Sequence, residues 1–194
     1  MAQIPPLTNE TILDIGCGSG VIPLTLKTKF PDVKIIGVEI QEELAELAKN
    51  NVKINSMQAD ISIICKDIKK ISPDDFNKRI DIIISNPPYK KKGSGRLNPN
   101  QLKALARHEI KLTIKELLNS CKKLLSSKGK VFIIFPAERI TDIIDNMHEN
   151  NLKPETIRFI HTKKKGSAKL VIVSASKDRI AFPMIVPPQN ILQI

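Results

Sequence analysis

Thr11-Ile12-Leu13-Asp14-Ile15-Gly16-Cys17-Gly18-Ser19-Gly20 is the stretch whose reading decides the fold. Thr11–Ile15 reads as a short apolar strand carrying one acid, and Val21 to about Phe30 reads as a helix. Pro23 falls in the first turn of that helix, where a missing N–H costs little. Between the two lie three alternating glycines, which tolerate positive φ and let a ligand approach the backbone closely. A strand handed to a helix through such a turn is the opening move of an open α/β sheet.

Short apolar runs and helix-period segments continue to alternate downstream. Val33–Glu39, Ile61–Cys65, Ile80–Ser85 and Lys130–Phe135 read as strands. Glu42–Val52 reads as a helix with Leu44, Leu47, Ala48 and Val52 on one face. Leu112–Leu125 reads as a longer helix, with Gly129 ending the turn after it. Ile140, Ile143, Ile144 and Met147 mark another. Lys90–Asn100 carries Gly93, Gly95 and Pro99 and reads as a loop. Thr156–His161 and Lys169–Ala175 are β-rich runs joined by a turn too short for a crossover helix, so they should pair antiparallel. Five strand–helix units followed by a hairpin predict an α/β, Rossmann-like, doubly wound sheet. It should be mostly parallel, with an antiparallel C-terminal hairpin strand at one edge. One domain is expected over residues 1–194, with a short lead at 1–10 and a substrate loop at 90–105.

Composition bounds the function class. Hydrophobic residues make up 41% of 194, enough for one core, and no apolar run approaches a bilayer span. Cys17, Cys65 and Cys121 are odd in number and widely spaced, as are His108, His148 and His161. That pattern suits a reducing cytoplasmic setting and offers no metal-ligand spacing, so no metal is expected. No signal peptide is visible in Met1–Asn9. A formal charge of +11 favours a polyanionic partner through counterion release. The excess of lysine over arginine, with abundant isoleucine and asparagine, is also what AT-rich codon usage produces.

The glycine turn points to a particular ligand chemistry. Its spacing is G-x-G-x-G with Asp14 two residues before the first glycine, not the G-x-G-x-x-G of dinucleotide folds. A pyrophosphate would gain nothing from Asp14, whereas an ammonium group needs such an acceptor. Glu39 lies 19 residues past Gly20 at the end of the second strand, where acids accept from ribose hydroxyls. Nucleoside plus amino acid implies S-adenosylmethionine. The expected cofactor contacts are Asp14, Gly16, Cys17, Gly18, Gly20, Glu39 with Ile40, and Asp67 with Ile68. Asp67, just past the third strand, suits either the adenine amino group or a turn cap.

Ser85-Asn86-Pro87-Pro88-Tyr89 follows the fourth strand directly. Its two prolines remove N–H donors and leave carbonyls able to accept. An aromatic amine is a poor nucleophile because its lone pair is delocalised. Acceptance of its two N–H groups by the Asn86 side-chain oxygen and the Pro87 carbonyl would draw the nitrogen toward pyramidal geometry. Tyr89, the only tyrosine, would stack on the base, worth about 1–3 kcal/mol. Taken in isolation, the same residues describe a rigid turn.

Together the two motifs resemble class I methyltransferases that act on amino nitrogens. Gly93-Ser94-Gly95, Asn98-Pro99-Asn100 and Ala106-Arg107-His108-Glu109 sharpen the match, as do Pro136-Ala137-Glu138-Arg139, Arg158-Phe159 and Pro187-Pro188. With Asn86–Tyr89 they resemble the valine-tRNA (adenine-N6)-methyltransferase family, over Thr11 to Pro188. The resemblance implies methylation of adenosine 37 in a valine tRNA. Asp14, Gly16, Gly18 and Glu39 would hold the cofactor, and Asn86, Pro87, Pro88 and Tyr89 would carry catalysis. The match departs at the start, where family members usually carry a longer segment before the glycine strand.

Lys90, Lys91, Lys92, Arg96, Arg107 and His108 are the expected RNA contacts, although a solvated surface is the ordinary role of a lysine run. Lys163–Lys165 cannot be placed relative to the crevice from sequence. A glutamine-N5 methyltransferase of release factors would use the same Asn-Pro-Pro-Tyr logic. A DNA adenine methyltransferase and a non-catalytic cofactor- or RNA-binding module are further readings.

Overall fold

In a computed structural model of the chain, residues 8–76, 79–87, 112–161, 166–177 and 183–190 are described. The elements run β1 (Thr11–Ile15), α1 (Val21–Lys29), β2 (Lys34–Glu39), α2 (Glu42–Ile54), β3 (Ile61–Cys65) and β4 (Ile80–Ser85). After them come α3 (Ile114–Leu124), β5 (Leu125–Pro136), α4 (Ile140–Glu149), β6 (Lys153–His161), β7 (Leu170–Ser176), β8 (Met184–Ile185) and β9 (Gln189–Asn190). One sheet carries the order β3-β2-β1-β4-β5-β7-β6-β8, with β9 also on β6. The first five strands pair in parallel, and β7 runs antiparallel to both β5 and β6.

Alternation along each strand sends side chains to two covered faces. Leu13, Ile15, Ile83, Val131 and Ile133 join Leu117, Leu118, Cys121 and Met147 under α3 and α4. Ile12, Ile35, Ile82, Ile84 and Phe132 join Leu26 and Val52 under α1 and α2. Burial on both faces is why β1 and β4 read as continuous apolar runs. Each fully buried leucine or isoleucine side chain contributes roughly 1.5–3 kcal/mol.

The predicted α/β doubly wound architecture is found, with local corrections. Leu47 is 45% exposed, and the buried residues of α2 are Ala45, Ala48 and Val52. The small alanines bring the helix close to the glycine turn: a Cβ added at Gly20 would lie 3.3 Å from that of Ala48. No α-helix stands between β3 and β4 among the described residues. Two 3-10 turns, Ile68–Lys70 and Pro73–Asp75, stand there instead. Gly129 does not end a turn. The chain passes directly from α3 into β5, and Gly129 lies inside that strand beside a register shift. A Cβ there would meet the Asp81 carbonyl at 2.9 Å, so only glycine allows the strands to approach. Finally, the antiparallel strand is not at the edge. β7 inserts between β5 and β6, and the outer positions go to the short β8 and β9, parallel to β6.

Candidate functional site

Neighbours of β1 on its two sides, β2 and β4, are reached through opposite directions of chain travel, which opens a crevice at the carboxyl edge. The glycine turn sits over that crevice. Gly16, Gly18 and Gly20 take φ of 76°, 54° and 83°. Cβ atoms added at Gly16 and Gly18 would meet nothing within 4 Å, so the turn presents open backbone. Gly16 and Cys17 donate to the Val38 carbonyl at 2.8 and 3.1 Å, which pins the turn to β2. From α2, Asn51 Nδ2 donates to the Ser19 carbonyl at 2.9 Å.

Asp14 has no exposed surface, and neither of its carboxylate oxygens has a hydrogen-bond partner. Burial, and then the nearby Glu39 charge, push its carboxyl up to about 7. A buried acid without donors is costly unless something supplies them. Here the orphaned oxygens lie just before an open turn, as a cation-accepting position requires.

Glu39 is also buried, but it is well supplied. Its Oε2 accepts from Gly18 N at 2.9 Å, and its Oε1 from Ile40 N and Gln41 N at 2.9 and 3.0 Å. The carboxylate thus staples the glycine turn to the start of α2. Replacing Glu39 by alanine should therefore destabilise the fold itself, by about 1.5–3 kcal/mol for loss of hydrogen bonds to a charged acceptor. Urea denaturation measures this. An unchanged midpoint would show that water replaces the carboxylate without cost.

Cys17 lies in the turn with its side chain buried against Gly37, where an added Cβ would stand 2.8 Å from Sγ. Burial first, then Asp14 and Glu39, push its thiol up to about 12, so it offers backbone rather than nucleophile. Ile68 is likewise a core side chain. Asp67 caps the 3-10 turn, accepting from Lys69 N at 3.0 Å, while Lys69 Nζ stands 4.0 Å from its other oxygen. The capping alternative describes this carboxylate as found. It remains half-buried at the carboxyl end of β3.

Asn86 is exposed and Pro87 buried immediately beyond β4. Ser85, given no role by the sequence reading, donates from Oγ to the Ile15 carbonyl at 2.9 Å. A lone hydroxyl ending a strand of four isoleucines was the available signal. The structure thus gathers Asp14, Gly16, Cys17, Gly18, Gly20, Glu39, Ile40, Asp67, Ile68, Asn86 and Pro87 at one sheet edge. Pro88, Tyr89, Lys90, Lys91, Lys92, Arg96, Arg107, His108 and Lys163–Lys165 lie outside the described residues. The strand directions do place what flanks them. β6 is parallel to β5 through the intervening β7, so His161 ends at the same edge as Pro87.

A groove of about 490 Å³ lined by Phe76, Arg79, Lys123, Leu125 and Ser127 opens at the opposite, amino edge of β4 and β5. Lys123 there belongs to the last turn of α3 and bonds the Ile71 carbonyl at 3.1 Å, so its ammonium ties α3 to the segment after β3. No cluster of three or more metal-ligating side chains occurs among the described residues. No helix among them is long and apolar enough to cross a membrane.

A family profile described as the methyltransferase small domain matches residues 1–150. The chain belongs to that family. Among curated methyltransferases, a tRNA1(Val) (adenine(37)-N6)-methyltransferase of Porphyromonas gingivalis is 36% identical over 133 residues. That match covers 68% of this chain and 51% of the relative, so the matched region spans about half of the longer protein. A protein of the same name from Bacteroides thetaiotaomicron is 32% identical over 165 residues, covering 84% of this chain and 67% of the relative. Among solved structures, a predicted O-methyltransferase from Agrobacterium tumefaciens superposes with a TM-score of 0.71 at 18% identity. It covers 93% of this chain and 79% of its own, and it shows the shared methyltransferase fold.

Proposed function

We propose that this chain is one S-adenosylmethionine-dependent methyltransferase domain acting on the N6 amino group of an adenine in RNA, with adenosine 37 of a valine tRNA as target. The observation that carries this reading is the orphaned Asp14 carboxylate beneath an open glycine turn, one strand away from Asn86-Pro87. The relatives' names supply the target.

When bound, S-adenosylmethionine supplies an electrophilic methyl group on a sulfonium. The chain's residues do the rest. Asp14 accepts from the cofactor's ammonium group, and Glu39, already held by three backbone donors, accepts from ribose hydroxyls. The Ile68 backbone, with the Asp67 oxygen that does not cap the turn, would receive the adenine edge. On the substrate side, Asn86 Oδ1 and the Pro87 carbonyl accept the two N–H groups of the target amine and free its lone pair. Asn86 and Pro87 need only present the nitrogen's lone pair, since the cofactor would supply the methyl group and leave as the neutral thioether. No strong base is required, because the nitrogen's proton becomes acidic only after transfer and passes to water. Tyr89 stacks on the base.

Charge supports an RNA substrate. Residues 88–111 hold seven basic residues and one acidic, and residues 162–165 hold three lysines, out of a formal +11 for the chain. Both segments are flanked by residues of the carboxyl edge, Pro87 and His161.

Methyl transfer to unmodified valine tRNA, with mapping of the modified base, tests the reading. One N6-methyladenosine at position 37 is expected. Its binding step should weaken with salt at a log–log slope of about −0.7 to −0.9 per phosphate contact. Methylation of a release-factor glutamine in place of tRNA would overturn the substrate assignment, and failure to bind S-adenosylmethionine would overturn the enzyme.

A further inference from the structure

We propose that Ser85 is a positioning residue for the transfer step, its buried hydroxyl setting the spacing between the glycine turn and Asn86-Pro87. The proposal rests on the methyl-transfer reading above and adds a residue to it. Ser85 has no exposed surface, and its Oγ donates to the Ile15 carbonyl at 2.9 Å. Ile15 and Ser85 are partners on the last rung of the β1–β4 ladder. One residue further on, Ile15 gives way to Gly16 and Ser85 to Asn86.

Beyond that rung the two chains part. The turn leans to β2, where Gly16 and Cys17 bond the Val38 carbonyl and Gly18 bonds Glu39. The amine acceptors belong to β4. Cofactor-side and substrate-side groups are thus anchored to different strands, β2 and β4, and the Ser85 hydroxyl ties β4 to the end of β1, the strand from which the turn departs. Its neighbours Ile80, Ile82, Ile83 and Ile84 are all buried isoleucines. A hydroxyl among them adds desolvation cost that an apolar residue avoids, unless its bond compensates. Transfer between two bound groups needs near-attack geometry, and a displacement of about 1 Å can cost on the order of 10²-fold in rate.

Ser85→Ala removes only the hydroxyl and leaves space for the fold to form. Three measurements are made on it and on the wild type. They are single-turnover methyl transfer to valine tRNA at saturating cofactor, S-adenosylhomocysteine affinity by calorimetry, and amide hydrogen exchange at Gly16 and Asn86. Transfer should slow by about tenfold or more while affinity stays within about twofold, and exchange at both amides should accelerate. An unchanged transfer rate overturns the proposal, as does an affinity loss equal to the rate loss, which would make Ser85 a support of the turn alone. If the wild type methylates no tRNA, the functional reading fails by itself and exchange decides Ser85. Faster exchange at both amides then retains its positioning role, and unchanged exchange removes it.

Discussion

Asn86→Ala is expected to lower single-turnover methyl transfer by about 10²–10³-fold, as loss of one preorganised transition-state partner does. The side chain stands exposed just past the buried end of β4, on the strand next to the glycine turn. On the proposed mechanism its oxygen accepts from an amine that gains positive charge as the new bond forms, so the hydrogen bond strengthens along the reaction. An interaction made mainly in the transition state lowers turnover and leaves ground-state binding nearly unchanged. S-adenosylhomocysteine affinity should therefore stay close to wild type, and this separates Asn86 from Glu39, whose loss disturbs the turn itself. Tyr89→Ala should instead raise the KM for RNA through lost stacking, with Tyr89→Phe mild. Wild-type transfer by Asn86→Ala would mean that the motif is a structural turn.

The second large effect is on stability and its dependence on pH. Asp14 carries a folded-state pKa raised from 3.8 to about 7, by burial first and Glu39 second. Its contribution to stability is therefore fully present below about pH 4 and is lost as pH rises through about 7. The amount is of the order of 4 kcal/mol, at about 1.4 kcal/mol for each tenfold change in proton affinity. Asp75, held low at about 2 by Lys66 and by Ser72, titrates below this window. Asp14→Asn removes the titration, so the variant should outlast the wild type in thermal melts at pH 8 and lose that advantage at pH 4. It should also bind S-adenosylmethionine more weakly, because the ammonium group loses its anionic partner. In the wild type, that partner favours the ionised acid, so cofactor binding should release a proton and tighten from pH 5 to 7. Coincident pH profiles for wild type and Asp14→Asn would show that this carboxyl does not titrate in the folded protein.

Much of this architecture is legible in sequence because burial on both faces writes strands as uninterrupted apolar runs. The bounds of β1 and β4 could be read to the residue for that reason, those of the half-exposed edge strand β3 followed from its β-branched run alone, and the pairing of β6 with β7 followed from a connection too short to cross over. The misreadings arose where a neighbour decides. Leu47 and Ala45 both satisfy a helical period, and only the packing of α2 in the fold buries Ala45 and leaves Leu47 exposed, with Ala48 set against Gly20. Gly129 reads as a turn until Asp81 of β4 comes within reach of its missing Cβ.

The candidate site divides in the same way. Residue types and spacings by themselves marked the strand ends proposed for chemistry: three glycines after an acid, an acid closing the next strand, and Asn-Pro-Pro-Tyr closing the fourth. They also located most of the net charge in two segments. Only the tertiary structure decided what each group has left to offer. It left both Asp14 oxygens unpartnered, gave Glu39 three backbone donors, turned Asp67 into a cap and tied Ser85 to Ile15 across 70 positions of chain. Local pattern sets conformation and burial, whereas a polar group's remaining capacity and proton affinity depend on atoms that folding alone brings beside it.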